Sequence, residues 1–285
     1  MDLEQKSIER IKMASEMSLH HYGKPLICTY SGGKDSDVML ELFKRSGVPF
    51  EVHNSHTTVD APPTVYHIRD TFRDLEAAGI PCTIHMPKLT MWQLIPKKKI
   101  PPSRMVRYCC DVFKENNTPN RFVATGVRWA ESARRTFRQE IEPKGVELAK
   151  KLLKMDDNDR KRALIEKCEI KADMIVNPIV DWPDRDIWEF YWSECKRHNI
   201  QYKMGYTRVG CIGCPMAGKH RWKEFADYPT YQRAYIRAFD RMIEEIHAAG
   251  KTCKWKDGYD CFLWWMEDTN VEGQLSMFDD VDDVE

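Results

Sequence analysis

Apolar and polar residues follow two rhythms along this chain. Over residues 3–22, Ile8, Ile11, Met13 and Met17 recur among charged positions, which predicts an amphipathic helix. Pro25–Tyr30 is a short apolar run that ends at Ser31-Gly32-Gly33, the pattern of a buried strand entering a tight turn. From Asp35 to Arg45, Val38, Met39, Leu42 and Phe43 share one side of a helix, and Gly47 supplies its stop. A strand at 50–53, a helix at 64–78 closed by Gly79, and a strand at 82–85 follow. Strand and helix alternating at this spacing predict a parallel α/β sheet. Further on, Arg121–Gly126 predicts a fourth core strand and 184–198 a helix carrying Ile187, Trp188, Phe190 and Tyr191. Residues 221–249 predict helix broken at Pro229, and Trp264-Trp265 is expected to pack against the core. Residues 144–170, rich in Lys, Glu and Asp, suggest a charged helical insertion, and the tail Phe278–Glu285 is acidic.

Composition narrows the class. Lys plus Arg and Asp plus Glu both number 44 in 285 residues, so the chain is not a strongly basic nucleic-acid binder on average. With 42% hydrophobic and 31% charged residues it suits a globular protein rather than a disordered one. The pattern contains no apolar run of membrane-spanning length, and the charged N-terminus lacks the apolar core of a secretory signal. A cytoplasmic protein without membrane contact is expected. In a reducing compartment its ten cysteines are expected to be ligands, nucleophiles or buried small side chains, not disulfides.

The sharpest local signal is Tyr30-Ser31-Gly32-Gly33-Lys34-Asp35-Ser36, set between a strand and a helix. Two glycines allow a tight turn and a close backbone approach to a ligand. Free N–H groups at the helix start favour an anion, with Lys34 and the hydroxyls of Ser31 and Ser36 at hand. The spacing is not that of a Walker loop. Ser31–Ser36 resembles the SGGKDS signature of the PP-loop nucleotide α-hydrolase superfamily, whose members bind an adenine nucleotide and act around its α-phosphate.

Three more segments resemble the phosphoadenosine phosphosulfate (PAPS) reductase family within that superfamily. They are Thr125–Arg135 (TGVRWAESARR), Asn177–Trp188 (NPIVDWPDRDIW) and Gly205–Cys211 (GYTRVGC). The resemblance covers about residues 25 to 228. It implies an adenine nucleotide α-hydrolase-like, Rossmann-like fold: a parallel twisted sheet flanked by helices, with a helical C-terminal part. The expected domains are a nucleotide-binding one at 1–220 and a helical extension at 221–285. The implied nucleotide contacts are Tyr30–Ser36, Thr57, Asp60, Gly126, Arg128 and Arg135, with Lys34 and Arg128 also catalytic candidates. Forked guanidinium groups suit phosphate or sulfate.

Cys109-Cys110 and the C-x-x-C of Cys211 and Cys214 supply four thiolates. That set suits a [4Fe–4S] cluster, and tetrahedral zinc also accepts four thiolates. Adjacent cysteines sit more easily on different irons than on one ion, and the arrangement resembles the cluster pattern of adenosine-phosphosulfate reductases. Cys28, Cys82, Cys168, Cys195 and Cys261 are expected to be buried. The resemblance implies reduction of adenylyl sulfate or its 3′-phosphorylated form to sulfite, with a thioredoxin-like reductant. The chain departs from that pattern at its end, where the family's E-C-G-x-H-like nucleophile motif is missing. Cys253, between Lys251 and Lys254, is the remaining nucleophile candidate. The complete Lys34-Asp35 pair equally suits ATP with Mg²⁺, and so an ATP pyrophosphatase-type transferase that prepares a substrate for sulfur transfer. A non-catalytic nucleotide-binding subunit is the third reading. Lys97-Lys98-Lys99 with Arg104 and Arg107 form a candidate phosphate track, although a nucleic-acid partner is the less favoured expectation; oligomerisation is left open.

Overall fold

The computed structural model describes residues 2–115, 117–143 and 173–267. The expected insertion at 144–170, Cys168 and the acidic tail lie outside these residues. In chain order the principal elements are α1 (Leu3–Tyr22), β1 (Leu26–Thr29), α2 (Lys34–Ser46), β2 (Phe50–Ser55), α3 (Pro62–Ala77), β3 (Cys82–His85) and α4 (Met91–Lys98). They continue with β4 (Phe122–Ala124), β5 (Ile141–Pro143), β6 (Met174–Val176), α5 (Asp184–Glu194), α6 (Ile200–Lys203), α7 (His220–Asp227), α8 (Pro229–Ala248) and α9 (Gly258–Met266).

The chain divides into two units. The first comprises Met1–Pro87 and Asp111–Gly210, the second Lys88–Cys110 and Cys211–Glu285. The boundary expected at residue 220 lies inside the second unit, which also takes in a segment from the middle of the sequence.

The first unit is built on a six-stranded sheet in the order β3-β2-β1-β4-β6-β5. All pairings are parallel except the edge pair β5–β6. Crossover helices impose this arrangement, because parallel neighbours cannot be joined by a hairpin. Leu26, Cys28, Phe50, Val52, Phe122, Ala124, Met174 and Val176 point from alternate strand positions into one core with Val38, Met39, Leu42 and Phe43 of α2. The expected burial of Cys28 and Cys195 holds, whereas Cys82, on edge strand β3, is only half-buried. Helix α2 ends at Gly47, whose φ of 69° is left-handed. The buried guanidinium of Arg10 on α1 takes both oxygens of Asp181, at 2.7 and 3.0 Å, and the Pro178 carbonyl at 2.9 Å. Trp182 donates its indole N–H to Ser7 Oγ at 2.9 Å. The Asn177–Asp184 segment is thereby fastened to the first helix.

In the second unit, α4 and α9 pack on α8, around Tyr235, Phe239, Phe262 and Trp265. Trp265 is buried as expected, while its neighbour Trp264 is exposed. Among the described residues no helix is long and apolar enough to cross a membrane.

Candidate functional site

In the strand order, the chain leaves β1 toward β2 and β3, then returns to place β4 on the other side of β1. Beyond the C-terminal ends of β1 and β4 the connections part, and an open α/β sheet binds ligands in that crevice. Tyr30–Gly33 sits there, leading into α2. Gly32 has φ +73°, and a Cβ on it would meet Ile68 Cγ1 at 2.9 Å. Glycine is therefore required twice over, by conformation and by space.

The carbonyls of this turn are tied back. Asn54 Nδ2 donates to Tyr30 O at 2.8 Å, and Asn199 Nδ2 donates to Gly32 O at 2.9 Å. Asn199 caps α6 and also donates to Thr64 Oγ1 at 3.0 Å, and Thr64 donates to Gln201 Oε1 at 2.5 Å. With its acceptors held, the turn leads into the N–H end of α2, where the helix dipole favours an anion. Ser36 Oγ accepts from Ser31 N and Gly33 N and donates to Gly33 O at 2.8 Å. This hydroxyl shapes the turn from within. Lys34 N donates to the hydroxyl of Tyr202 at 2.8 Å. Tyr202 is buried and carries the family of contacts from α6 onto the turn; its phenol is raised by burial, against the Lys34 N–H bond that lowers it.

The charges beside the turn form a chain of pairs. Lys34 Nζ lies 2.9 Å from Asp35 Oδ2 and 5.2 Å from the centre of the Trp188 ring. Asp35 Oδ1 receives Arg128 Nε at 2.6 Å, and Arg128 Nη2 reaches Asp184 Oδ1 at 2.6 Å. Arg128 also donates to Trp182 O at 3.1 Å and is buried. Its visible work is to hold Asp35 and the Trp182–Asp184 segment. The end of β4 lies close to α2 at Gly126, where an added Cβ would stand in ordinary van der Waals contact with the Asp35 backbone at 3.4 Å.

The remaining expected contacts fall into local structure. Arg135 pairs with Glu131 and is substantially exposed. Thr57 donates its N–H and hydroxyl to Asp60 at 2.8 and 2.7 Å, a turn that uses the carboxylate. The Tyr30 hydroxyl donates to Asp37 at 2.5 Å and lies 3.0 Å from His67 Nε2, so it anchors the turn from beneath. Burial, then Asp37, keeps this phenol well above its ordinary range. Asn54, Thr64, Asn199 and Tyr202 were not anticipated from sequence. Nothing in their spacing marks them, because each acts through a single amide or hydroxyl brought in by a distant element.

All four cysteines of the expected cluster lie in the second unit. The thiol of Cys109 is raised by its hydrogen bond with Cys110, by burial, and by the nearby Cys110, Cys211 and Cys214. Arg107 Nη2 donates to Cys110 Sγ at 3.2 Å. Gly213, between Cys211 and Cys214, has φ +71°, and a Cβ on it would meet Phe225 Cζ at 2.7 Å. Glu224 accepts the Gly213 N–H at 2.7 Å, and Tyr235 donates to Ile212 O at 2.9 Å. The C-x-x-C turn thus rests on a shaped aromatic and polar floor. Among the described residues no group of three or more His, Cys, Asp or Glu is arranged to hold a metal ion. The donor chemistry still fits a polynuclear group, whose terminal thiolates sit on separate irons rather than converging on one ion. Cys253 is half-buried and Cys261 buried.

A mostly parallel sheet with a glycine-lined turn at its switch point defines an α/β fold of the nucleotide-binding kind. Residues 25–217 match the phosphoadenosine phosphosulfate reductase domain, and the chain belongs to that family. It is similar to two uncharacterised proteins of Methanocaldococcus jannaschii, one 25% identical over 67% of this chain and the other 21% identical over 87%. The chain covers 36% and 54% of those curated relatives, so it spans only about a third to a half of their length. A PAPS reductase from Candida auris, solved as a phosphate complex, aligns with 72% of this chain and 88% of its own. The identity there is 17% and the TM-score 0.45.

Proposed function

We propose that this protein is an enzyme that binds an adenine nucleotide at the Tyr30–Ser36 turn and reduces a sulfonucleotide, adenylyl sulfate or its 3′-phosphorylated form, to sulfite. The observation that carries the reading is the orientation of the turn. Asn54 and Asn199 hold the carbonyls of Tyr30 and Gly32, so the backbone dipoles favour an anion at the start of α2. Lys34, fixed by Asp35 and Trp188, adds the positive charge. Arg128 positions Asp35 from below.

In the reaction a thiolate attacks the sulfur and the S–O bond to the nucleotide breaks. AMP or its 3′-phosphorylated form leaves, and two thiol electrons release sulfite as a disulfide forms. Cys253 is the candidate thiolate of this chain, and a thioredoxin-like dithiol the candidate reductant. Cys109, Cys110, Cys211 and Cys214 would hold a [4Fe–4S] cluster, whose core and four thiolates would together form an anionic iron–sulfur centre beside the Arg107 guanidinium.

One observation favours a second reading. Within the first unit Cys28 and Cys195 are buried thiols raised by desolvation, and burial pushes Cys82 up to about 11. None of these three is a thiolate at neutral pH. A phosphate-activating reaction on ATP, with Mg²⁺ and release of pyrophosphate, needs no thiol beside the turn. Anaerobically purified protein is incubated with ATP, and separately with each sulfonucleotide plus a dithiol. Sulfite release supports reduction; pyrophosphate release without sulfite replaces it by the second reading; neither product, with nucleotide bound, leaves a binding subunit.

A further inference from the structure

Neutral net charge conceals a marked segregation. The segment Lys88–Cys110 contains Lys88, Lys97, Lys98, Lys99, Arg104 and Arg107 and no Asp or Glu. Together with 211–267, the described part of the second unit carries fifteen Lys and Arg against eight Asp and Glu. The seven acids of 268–285 lie outside the described residues.

Within this unit, an open cleft of about 650 Å³ runs between the start of α4 and one face of α8. Thr90, Trp92 and Gln93 form one wall; Ala234, Arg237, Asp240 and Arg241 form the other. Arg237 and Arg241 are exposed, one helical turn apart, and neither pairs with a carboxylate among the described residues. Arg241 is posed by carbonyls instead: Nη2 donates to Trp92 O at 3.1 Å and Nε to Arg237 O at 3.4 Å. The acid in the cleft is engaged elsewhere, since Asp240 Oδ1 accepts the Gly258 N–H at 2.6 Å at the head of α9. The indole of Trp92 is half-buried and braced edge-on by Tyr235, with ring centres 5.0 Å apart. At the other end of α4, Lys97 and Lys98 are exposed.

We infer that this cleft is a docking site for single-stranded nucleic acid, distinct from the nucleotide turn of the first unit. Two guanidinium groups a helical turn apart, neither neutralised by a carboxylate among the described residues, suit successive phosphates of an extended strand. The braced indole offers a stacking surface for a base, and stacking tolerates any sequence. The exposed lysines extend the phosphate track along α4. The open shape fits a flexible polymer better than a small ligand enclosed on all sides.

The test is fluorescence anisotropy of a 5′-labelled, mixed-sequence single-stranded oligonucleotide titrated with the full chain, across a salt series. Binding is expected, with affinity falling linearly in log–log form as salt rises. Arg237→Ala, which removes an exposed group with no carboxylate partner among the described residues, and the pair Arg237→Ala/Arg241→Ala are compared with Arg185→Ala, an exposed change in the first unit. The double variant should bind roughly tenfold more weakly, with a salt slope shallower by about 1.4, the loss expected for two phosphates of a single strand. Arg185→Ala should match the parent. Circular dichroism melts confirm that each variant is folded; Arg237→Ala alone decides the matter if the double variant is not. The inference is overturned by absence of binding at low salt, by equal binding of parent and Arg237→Ala, by tighter binding of the matching duplex, or by displacement of the strand by ATP.

Discussion

At the scale of single residues, the turn depends on positions that tolerate little change. Gly32→Ala forces a Cβ into Ile68 and a left-handed φ onto alanine. The expected loss is about 2 kcal/mol, typical of backbone strain at a ligand-binding turn. A chemical denaturation curve measures it, and adenine-nucleotide binding followed by tryptophan fluorescence should weaken with it. Tyr202→Phe tests a subtler contribution. It leaves the Lys34 N–H without its acceptor at the start of α2, while keeping the ring that packs edge-on to Trp188 at 5.0 Å. Stability should fall by about 1 kcal/mol, the worth of one internal hydrogen bond. If nucleotide binding is unchanged, the hydroxyl is only a cap; a larger loss of affinity than of stability makes it part of an anion site. The glycines, Lys34 and Asp35 were legible because they are contiguous. Tyr202, Asn199 and Asn54 were not, because the fold alone brings them to the turn.

At the scale of elements, the strands and helices with clear apolar runs or periodicity were readable, the three-residue β4 among them, whereas β5 and β6 were not. β5 and β6 are three residues each, too brief for an alternating pattern. The helix expected over 184–198 stops at Glu194, where Cys195 turns extended, and Asn199 caps the separate α6 by accepting Gln201 N–H at 3.1 Å. That short break matters, because α6 is what reaches the Tyr30–Lys34 turn. The Asn177–Asp184 segment was expected for its resemblance alone; the structure adds why its residues suit the place. Burial raises the Asp181 carboxyl, but hydrogen bonds from Arg10 and Lys6 outweigh it and hold the group down at about 2. Its folded value is depressed below the ordinary carboxylate value of 3.8, so its stabilisation is complete above pH 4 and is lost as pH falls toward 2. The contribution at neutral pH is about 2 kcal/mol. Asp181→Asn should therefore destabilise the protein at pH 7, and the gap between variant and parent should shrink between pH 4 and 2. Equal gaps at both ends of that range would remove the ion pair from the account.

At the scale of the whole molecule, a zero net charge and a boundary drawn at 220 both came from reading the chain in order. The fold sorts residues differently: Lys88–Cys110 joins the C-terminal unit and brings a basic segment and two cysteines with it. This grouping explains why a tandem pair and a C-x-x-C so far apart in sequence meet in one unit, and it makes a sharp prediction about them. Anaerobically prepared protein should carry close to four irons per chain and a brown visible absorption. Cys110→Ser and Cys214→Ser, one from each segment, should each lose most of the iron, because each removes one of four terminal thiolates. Cys261→Ser changes a buried thiol that burial holds protonated, and it should retain the iron. If zinc is found in place of iron, the four thiols serve a structural ion. If Cys110→Ser and Cys214→Ser keep full metal content, the two segments do not share a centre, and the second unit is held by its aromatic core alone.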